Sequence, residues 1–155
     1  MHGLPRLRSG NDAVRSRVRV RTMTGAGLGF SVLIVDDSST IRLIVRRCLE
    51  QGELGITDAW EAGNGEEALD ILAKQRVHVV LTDINMPKMD GFQLLTAMKL
   101  DERWKTIPVL MITTEAAASA VLDAVQKGAS GYIRKPFTPV QIRNQLTPLL
   151  SEAVL

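Results

Sequence analysis

The chain has 155 residues, 45% of them hydrophobic and 23% charged, with a formal net charge of +2, the make-up of an ordinary soluble globular protein. That length suits about one domain with a core of its own, and the lone cysteine, Cys48, excludes an internal disulfide or a cysteine-built zinc site. No run approaches the ~20 apolar residues of a membrane span, and no apolar segment follows the basic start, so a secretory signal is not expected.

The charge is unevenly placed. Residues 1–30 hold six arginines against Asp12, a net +5, leaving 13 basic and 16 acidic side chains, a net −3, in the remainder. These first 30 residues mix Gly, Ser, Arg and Thr with little apolar periodicity and read as a basic, disordered arm. Val18-Arg19-Val20-Arg21 alternates like a strand, over too short a span to assign one. A basic arm suits nucleic acid or anionic lipid, but this one lacks a lysine cluster and any aromatic residue before Phe30. Met23, a short step before the first strand, is an alternative start.

From Ser31 to about residue 150, strand and helix alternate. Val32-Leu33-Ile34-Val35 is a buried strand ending in Asp36-Asp37. Ser38 or Ser39 caps a helix whose apolar face is Ile41, Ile44, Val45, Cys48 and Leu49, closed by Gly52 and Gly55. Ile56 to Ala62 is a weaker strand. Asn64 caps the next helix, with Glu67 placed for a capping box and Ala68, Leu69 and Leu72 facing the core. Val77 to Leu81 runs as a strand into Thr82-Asp83, with His78 a packed residue rather than a metal ligand, and Pro87 and Asp90-Gly91 mark a loop. Asp90 caps a helix carrying Leu94, Leu95 and Met98. Pro108 to Ile112 is a strand ending in Thr113-Thr114. A helix with Val121, Leu122 and Val125 stops at Gly128, and Ala116-Ala117-Ala118 opens it with little bulk. Gly131-Tyr132-Ile133 is a short strand before Lys135-Pro136. Thr138, Pro139 and Gln141 form a cap, an N1 proline and a box partner for a last helix that Pro148 should end or kink. Residues 151–155 read as a tail. Cys48 reads as a packing residue, and Trp60 and Trp104 as packing or edge residues. The alternation predicts one α/β domain, a doubly wound five-stranded parallel sheet with five helices on its two faces.

Ligands of such sheets bind at the carboxyl ends of the strands. If the strands are neighbours, those ends place Asp36, Asp37, Asp83, Thr113 and Lys135 along one edge. Three carboxylates in one cleft repel one another and raise their proton affinity. A hard divalent cation resolves that conflict, and oxygen-only ligands suit Mg²⁺. Metal and ammonium flanking one carboxylate make a site for phosphoryl transfer, with Asp83 as nucleophile.

Asp36-Asp37-Ser38, Thr82-Asp83-Ile84-Asn85-Met86-Pro87, Asp90-Gly91, Ile112-Thr113-Thr114-Glu115 and Gly128 through Phe137 together resemble a response-regulator receiver domain, the last two segments most like the single-domain chemotaxis type. The resemblance covers about residues 31–150 and implies the flavodoxin-like strand order 2-1-3-4-5. It implies that Asp83 accepts a phosphoryl group from a sensor histidine kinase. Asp37, Asp83 and the Asn85 carbonyl would hold Mg²⁺, with Asp36 acting through water. Lys135 would pair with the phosphoryl group and precede a cis proline, Thr113 would move to bond it, and Tyr132 would turn inward to change a protein-binding face. Asn85 and Glu115 fall where such proteins tune the attacking water, implying fairly quick dephosphorylation. Thr114 stands where Ala or Ser is commoner and would slow small phosphodonors. The expected protein is a stand-alone cytoplasmic switch rather than a turnover enzyme. Its target would be a flagellar motor switch or a phosphotransferase domain, the latter if it is an intermediate carrier in a multistep phosphorelay. Neither sequence-specific DNA binding, for want of a recognition helix, nor membrane insertion is expected. A haloacid-dehalogenase-type phosphatase would need a second acid where Asn85 stands, and a flavodoxin-like cofactor binder would need a phosphate loop where Asp36-Asp37 repel phosphate.

Overall fold

The computed structural model describes residues 17–19, 29–114 and 118–153. In chain order the strands are β1 Arg17–Arg19, β2 Phe30–Val35, β3 Ile56–Ala62, β4 Val79–Thr82, β5 Val109–Thr113 and β6 Gly131–Arg134. The helices are α1 Ser39–Gln51, α2 Gly65–Lys74, α3 Gly91–Lys99, α4 Ala118–Gln126 and α5 Pro139–Ala153. They join in one sheet of order β1-β3-β2-β4-β5-β6. The strands from β2 to β6 are mutually parallel, so counted from β2 they take the expected order 2-1-3-4-5.

The strands form where sequence places continuous β-branched and aliphatic runs. Val32 to Val35 are each no more than 1% exposed, the mark of a strand covered on both faces. On one face Val32 and Ile34 pack with Val45, Cys48 and Leu49 of α1 and Ile142 and Leu146 of α5. On the other, Leu33 and Val35 pack with Ala68 and Ile71 of α2 and Leu94, Leu95 and Met98 of α3. The predicted caps hold. Ser38 Oγ accepts from Ile41 N, Asn64 Oδ1 from Glu67 N, and Asp90 and Thr138 form reciprocal boxes with Gln93 and Gln141. Glu67 departs slightly from its box, accepting from Gly63 N rather than from the cap residue.

Several expectations are corrected. Arg17–Arg19, assigned to a disordered arm, pairs antiparallel with β3, Arg17 opposite Trp60 and Arg19 opposite Asp58. The open edge of β3 offers unpaired backbone groups that even three residues of strand can satisfy. Phe30, also counted in the arm, is the first residue of β2, and residues 1–16 and 20–28, Met23 included, lie outside the described residues. In α1, Ile44 is 42% exposed while Arg42 is buried. In α4, Leu122 and Val125 are exposed and the small Ala124 faces the core. The last helix continues through Pro148 to Ala153, past the expected boundary at residue 150. Burial of Leu149 and Leu150 offsets the ~3 kcal/mol that an interior proline costs, at roughly 1.5–3 kcal/mol per leucine. His78 stands just before β4, where Nδ1 accepts from Ser31 N and the ring meets Phe30 edge-on, a packing role as expected. Among the described residues no helix is long and apolar enough to cross a membrane.

Candidate active site

Register brings the site together. Val35 lies opposite Thr82, Thr82 opposite Met111, and Thr113 opposite Arg134. The residues that follow these strands therefore share one edge. Asp83 N donates to Val35 O at 2.9 Å, and Lys135 N to Thr113 O at 2.8 Å, tying adjacent strand ends. One carboxylate oxygen from each of Asp36, Asp37 and Asp83 lies within 4.8 Å of the others. Lys135 Nζ reaches Asp36 Oδ2 at 2.9 Å and Asp83 Oδ2 at 3.3 Å. The Lys135–Pro136 bond is cis.

Each acid is held differently. Asp36 is 3% exposed and its Oδ1 accepts from Ser38 N, whereas Asp37 is exposed. Asp83 Oδ1 accepts from Ile84 N at 2.8 Å, leaving Oδ2 toward Lys135. The loop after Asp83 folds back so closely that a Cβ on Gly91 would lie 2.2 Å from Asp83 O, which is why glycine follows Asp90. Thr113, 2% exposed, stands at the neighbouring strand end. Asn85 is exposed on the loop. Tyr132, 40% exposed, is not in the cleft: it lines a surface groove of about 360 Å³ with Arg134, Gln141 and Asn144. Glu115 lies outside the described residues, and Thr114 is exposed.

Burial pushes the Asp83 carboxyl above its ordinary range; Lys135 opposes the shift and Asp36 adds to it. Burial works against the Lys135 ammonium too, but its bonds to Asp36 and Asp83 outweigh that and raise its pKa. The two directions agree once the distances are compared, because the ammonium sits closer to Asp36 and leaves Asp83 only partly neutralised. One ammonium among three carboxylates leaves excess negative charge on an oxygen-only donor set, which fits a hard divalent cation such as Mg²⁺.

One group of residues was not singled out from sequence. Arg42 donates through Nε to Glu61 Oε1 at 2.7 Å and through Nη1 to Asp36 O at 2.5 Å, and Arg46 also donates to Glu61. Arg42 falls on the stripe of Val45 and Leu49, and Glu61 falls inside a strand. A charge on each of two apolar patterns was the available signal.

Residues 32–147 match the family described as response regulator receiver domain. A chemotaxis protein CheY homolog of Campylobacter jejuni is 40% identical over 120 residues, 77% of this chain and 91% of that protein. The chemotaxis protein CheY-3 of Vibrio cholerae is 45% identical over 115 residues, 74% of this chain and 87% of that protein. Among solved structures, Vibrio cholerae chemotaxis protein CheY4 superposes with a TM-score of 0.70 at 34% identity, covering 78% of this chain and 98% of that one. The chain belongs to the receiver-domain family of two-component response regulators.

Proposed function

We propose that the protein is a phosphorylatable switch of chemotaxis-type signalling, in which Asp83 accepts a phosphoryl group from a phosphohistidine of a sensor kinase and the change is read by a protein target. The observation that carries this reading is the Asp83 carboxylate facing Lys135 Nζ at 3.3 Å beside Asp36 and Asp37. The likeness to proteins named for chemotaxis supports the pathway.

In this mechanism Asp83 Oδ2 attacks phosphorus, the phosphorus–nitrogen bond breaks, and the donor ring, already protonated on its other nitrogen, keeps that proton and the bonding pair and leaves as neutral imidazole. The Ile84 amide fixes Oδ1 and so aims Oδ2. Lys135 pairs with the arriving oxygens, and the Thr113 hydroxyl moves to bond one of them. Asp37, Asp83 and the Asn85 carbonyl, with Asp36 through water, would hold Mg²⁺, which when bound neutralises phosphoryl oxygens. Tyr132 then turns inward from its exposed position, a population shift that alters the face of α4, β6 and α5. The protein acts as a cytoplasmic switch, its only chemistry being its own phosphorylation and dephosphorylation. Passing the group to a phosphotransferase histidine would instead mark a relay carrier.

Incubation with acetyl phosphate and Mg²⁺ should add the mass of one phosphoryl group, and Asp83→Asn should abolish the gain. An unchanged mass for the wild-type chain overturns the reading.

A further inference from the structure

We propose that Arg42 is a positioning residue of the metal pocket, a strut that fixes the Asp36–Asp37 peptide and through it the direction of the Asp37 carboxylate. The proposal rests on the divalent-cation reading above.

Asp36 is tied on every side. Its N donates to Ala62 O at 3.0 Å, its Oδ1 accepts from Ser38 N at 2.9 Å, and its Oδ2 accepts from Lys135 at 2.9 Å. Its carbonyl belongs to the peptide that leads into Asp37, and that carbonyl accepts from Arg42 Nη1 at 2.5 Å. Rotation of this peptide swings Asp37. Among the described residues no hydrogen bond holds the exposed Asp37 side chain, so its direction depends on the backbone beneath it. The other end of the strut is anchored as firmly. Arg42 Nε bonds Glu61 Oε1 on β3, the two side chains are 11% and 10% exposed, and Arg46 bonds the second Glu61 oxygen. A guanidinium is the side chain able to bond two acceptors at fixed angles in this way. An ion pair that served packing alone would not need the bond to Asp36 O.

The alternative role for Arg42 is as a buried charge, and the two roles predict opposite signs. A cation near an acidic pocket repels a second cation, so as a charge alone Arg42 weakens metal binding and its removal strengthens it. As a strut it strengthens binding and its removal weakens it. Exchanging Arg42 and Glu61 together for apolar residues removes no net charge, and buried pairs often tolerate such exchange without loss of stability.

The test titrates the full chain with Mn²⁺, follows the free ion by electron paramagnetic resonance, and records thermal melting without metal. The wild type should bind Mn²⁺ at a site that Asp37→Asn removes. Arg42→Met/Glu61→Met should melt near the wild type and bind Mn²⁺ about tenfold more weakly, the size typical of lost outer-shell support. A folded double variant that binds as tightly as the wild type, or more tightly, overturns the strut while leaving the metal site standing. Absence of any Asp37-dependent Mn²⁺ binding in the wild type removes the metal reading and the strut with it. Arg42→Lys, which keeps the charge but loses the fork, is measured alongside and decides the matter if the double variant does not fold. Weaker binding supports the strut; wild-type affinity overturns it.

Discussion

Gly91→Ala is the substitution whose effect the structure fixes most tightly. Gly91 is the first residue of α3, and its φ is not positive, so an alanine backbone is permitted there. The obstacle is space. A Cβ would lie 2.2 Å from Asp83 O and 2.9 Å from Ile84 Cα, so at least 0.8 Å of movement is needed to reach even 3.0 Å from that oxygen. Overpacking costs about 1–3 kcal/mol, and the upper part of that range applies because the obstacle is main chain. Alanine gains up to ~1 kcal/mol in helix propensity, leaving a net loss of about 1–2 kcal/mol, or a fall in Tm of roughly 2–8 °C for a chain of this size. The moving atom belongs to Asp83, the proposed phosphoacceptor. A displacement near 1 Å at a reacting group costs up to ~100-fold in rate, so phosphorylation by acetyl phosphate should slow by at least roughly tenfold. Gly52→Ala is the control, because its nearest neighbours are Leu54 side-chain atoms at 3.4 Å and its φ is −77°; it should be neutral. A Gly91→Ala chain that melts and reacts like the wild type would refute the argument.

Mg²⁺ at ten times its Kd should stabilise the wild type by about 1.4 kcal/mol, seen as a rise in Tm that chelation reverses and that Asp37→Asn lacks; equal shifts in both proteins would remove Asp37 from the metal set. His78 has its pKa lowered by burial first and by Arg76 second. The unfolded chain therefore binds the proton more readily, and the His78 contribution is complete above the ordinary value of 6.5 and lost as pH falls below it toward the folded pKa. His78→Asn should flatten the fall in stability between neutral and mildly acid pH, and a ring titrating at or above 6.5 by NMR would contradict this.

Much of this architecture is legible in the sequence. Val32 to Val35 and Val109 to Ile112 are continuous apolar runs, short and flanked by turn residues, the pattern of a strand covered on both faces. Asp36, Asp37 and Asp83 are legible because carboxylates at the ends of such runs need a partner, and Lys135 supplies one. What periodicity does not carry is which side of a helix meets what. Ile44 and Arg42 both lie within the turn around Val45, and hydropathy favours Ile44. Glu61, presented by another strand, decides for Arg42. Leu122 and Val125 read as core because they are apolar, yet among the described side chains of α4 it is Ala124 that is buried, while Leu122 and Val125 face out. Pro148 obeys a local rule that the burial of Leu149 and Leu150 overrides. Strand order came from family resemblance, since alternation alone leaves neighbours unassigned.

The three-residue strand Arg17–Arg19 changes what the outside world meets at one border of the sheet. Without it, the seven residues of β3 would present an unpaired backbone ladder on which a second polypeptide could build. With it, the borders among the described residues are a three-residue and a four-residue strand, the short edges that discourage lateral stacking. Arg17–Arg19 thus occupy the backbone of Asp58, Ala59 and Trp60, the middle of the strand that would otherwise be open to a passing chain.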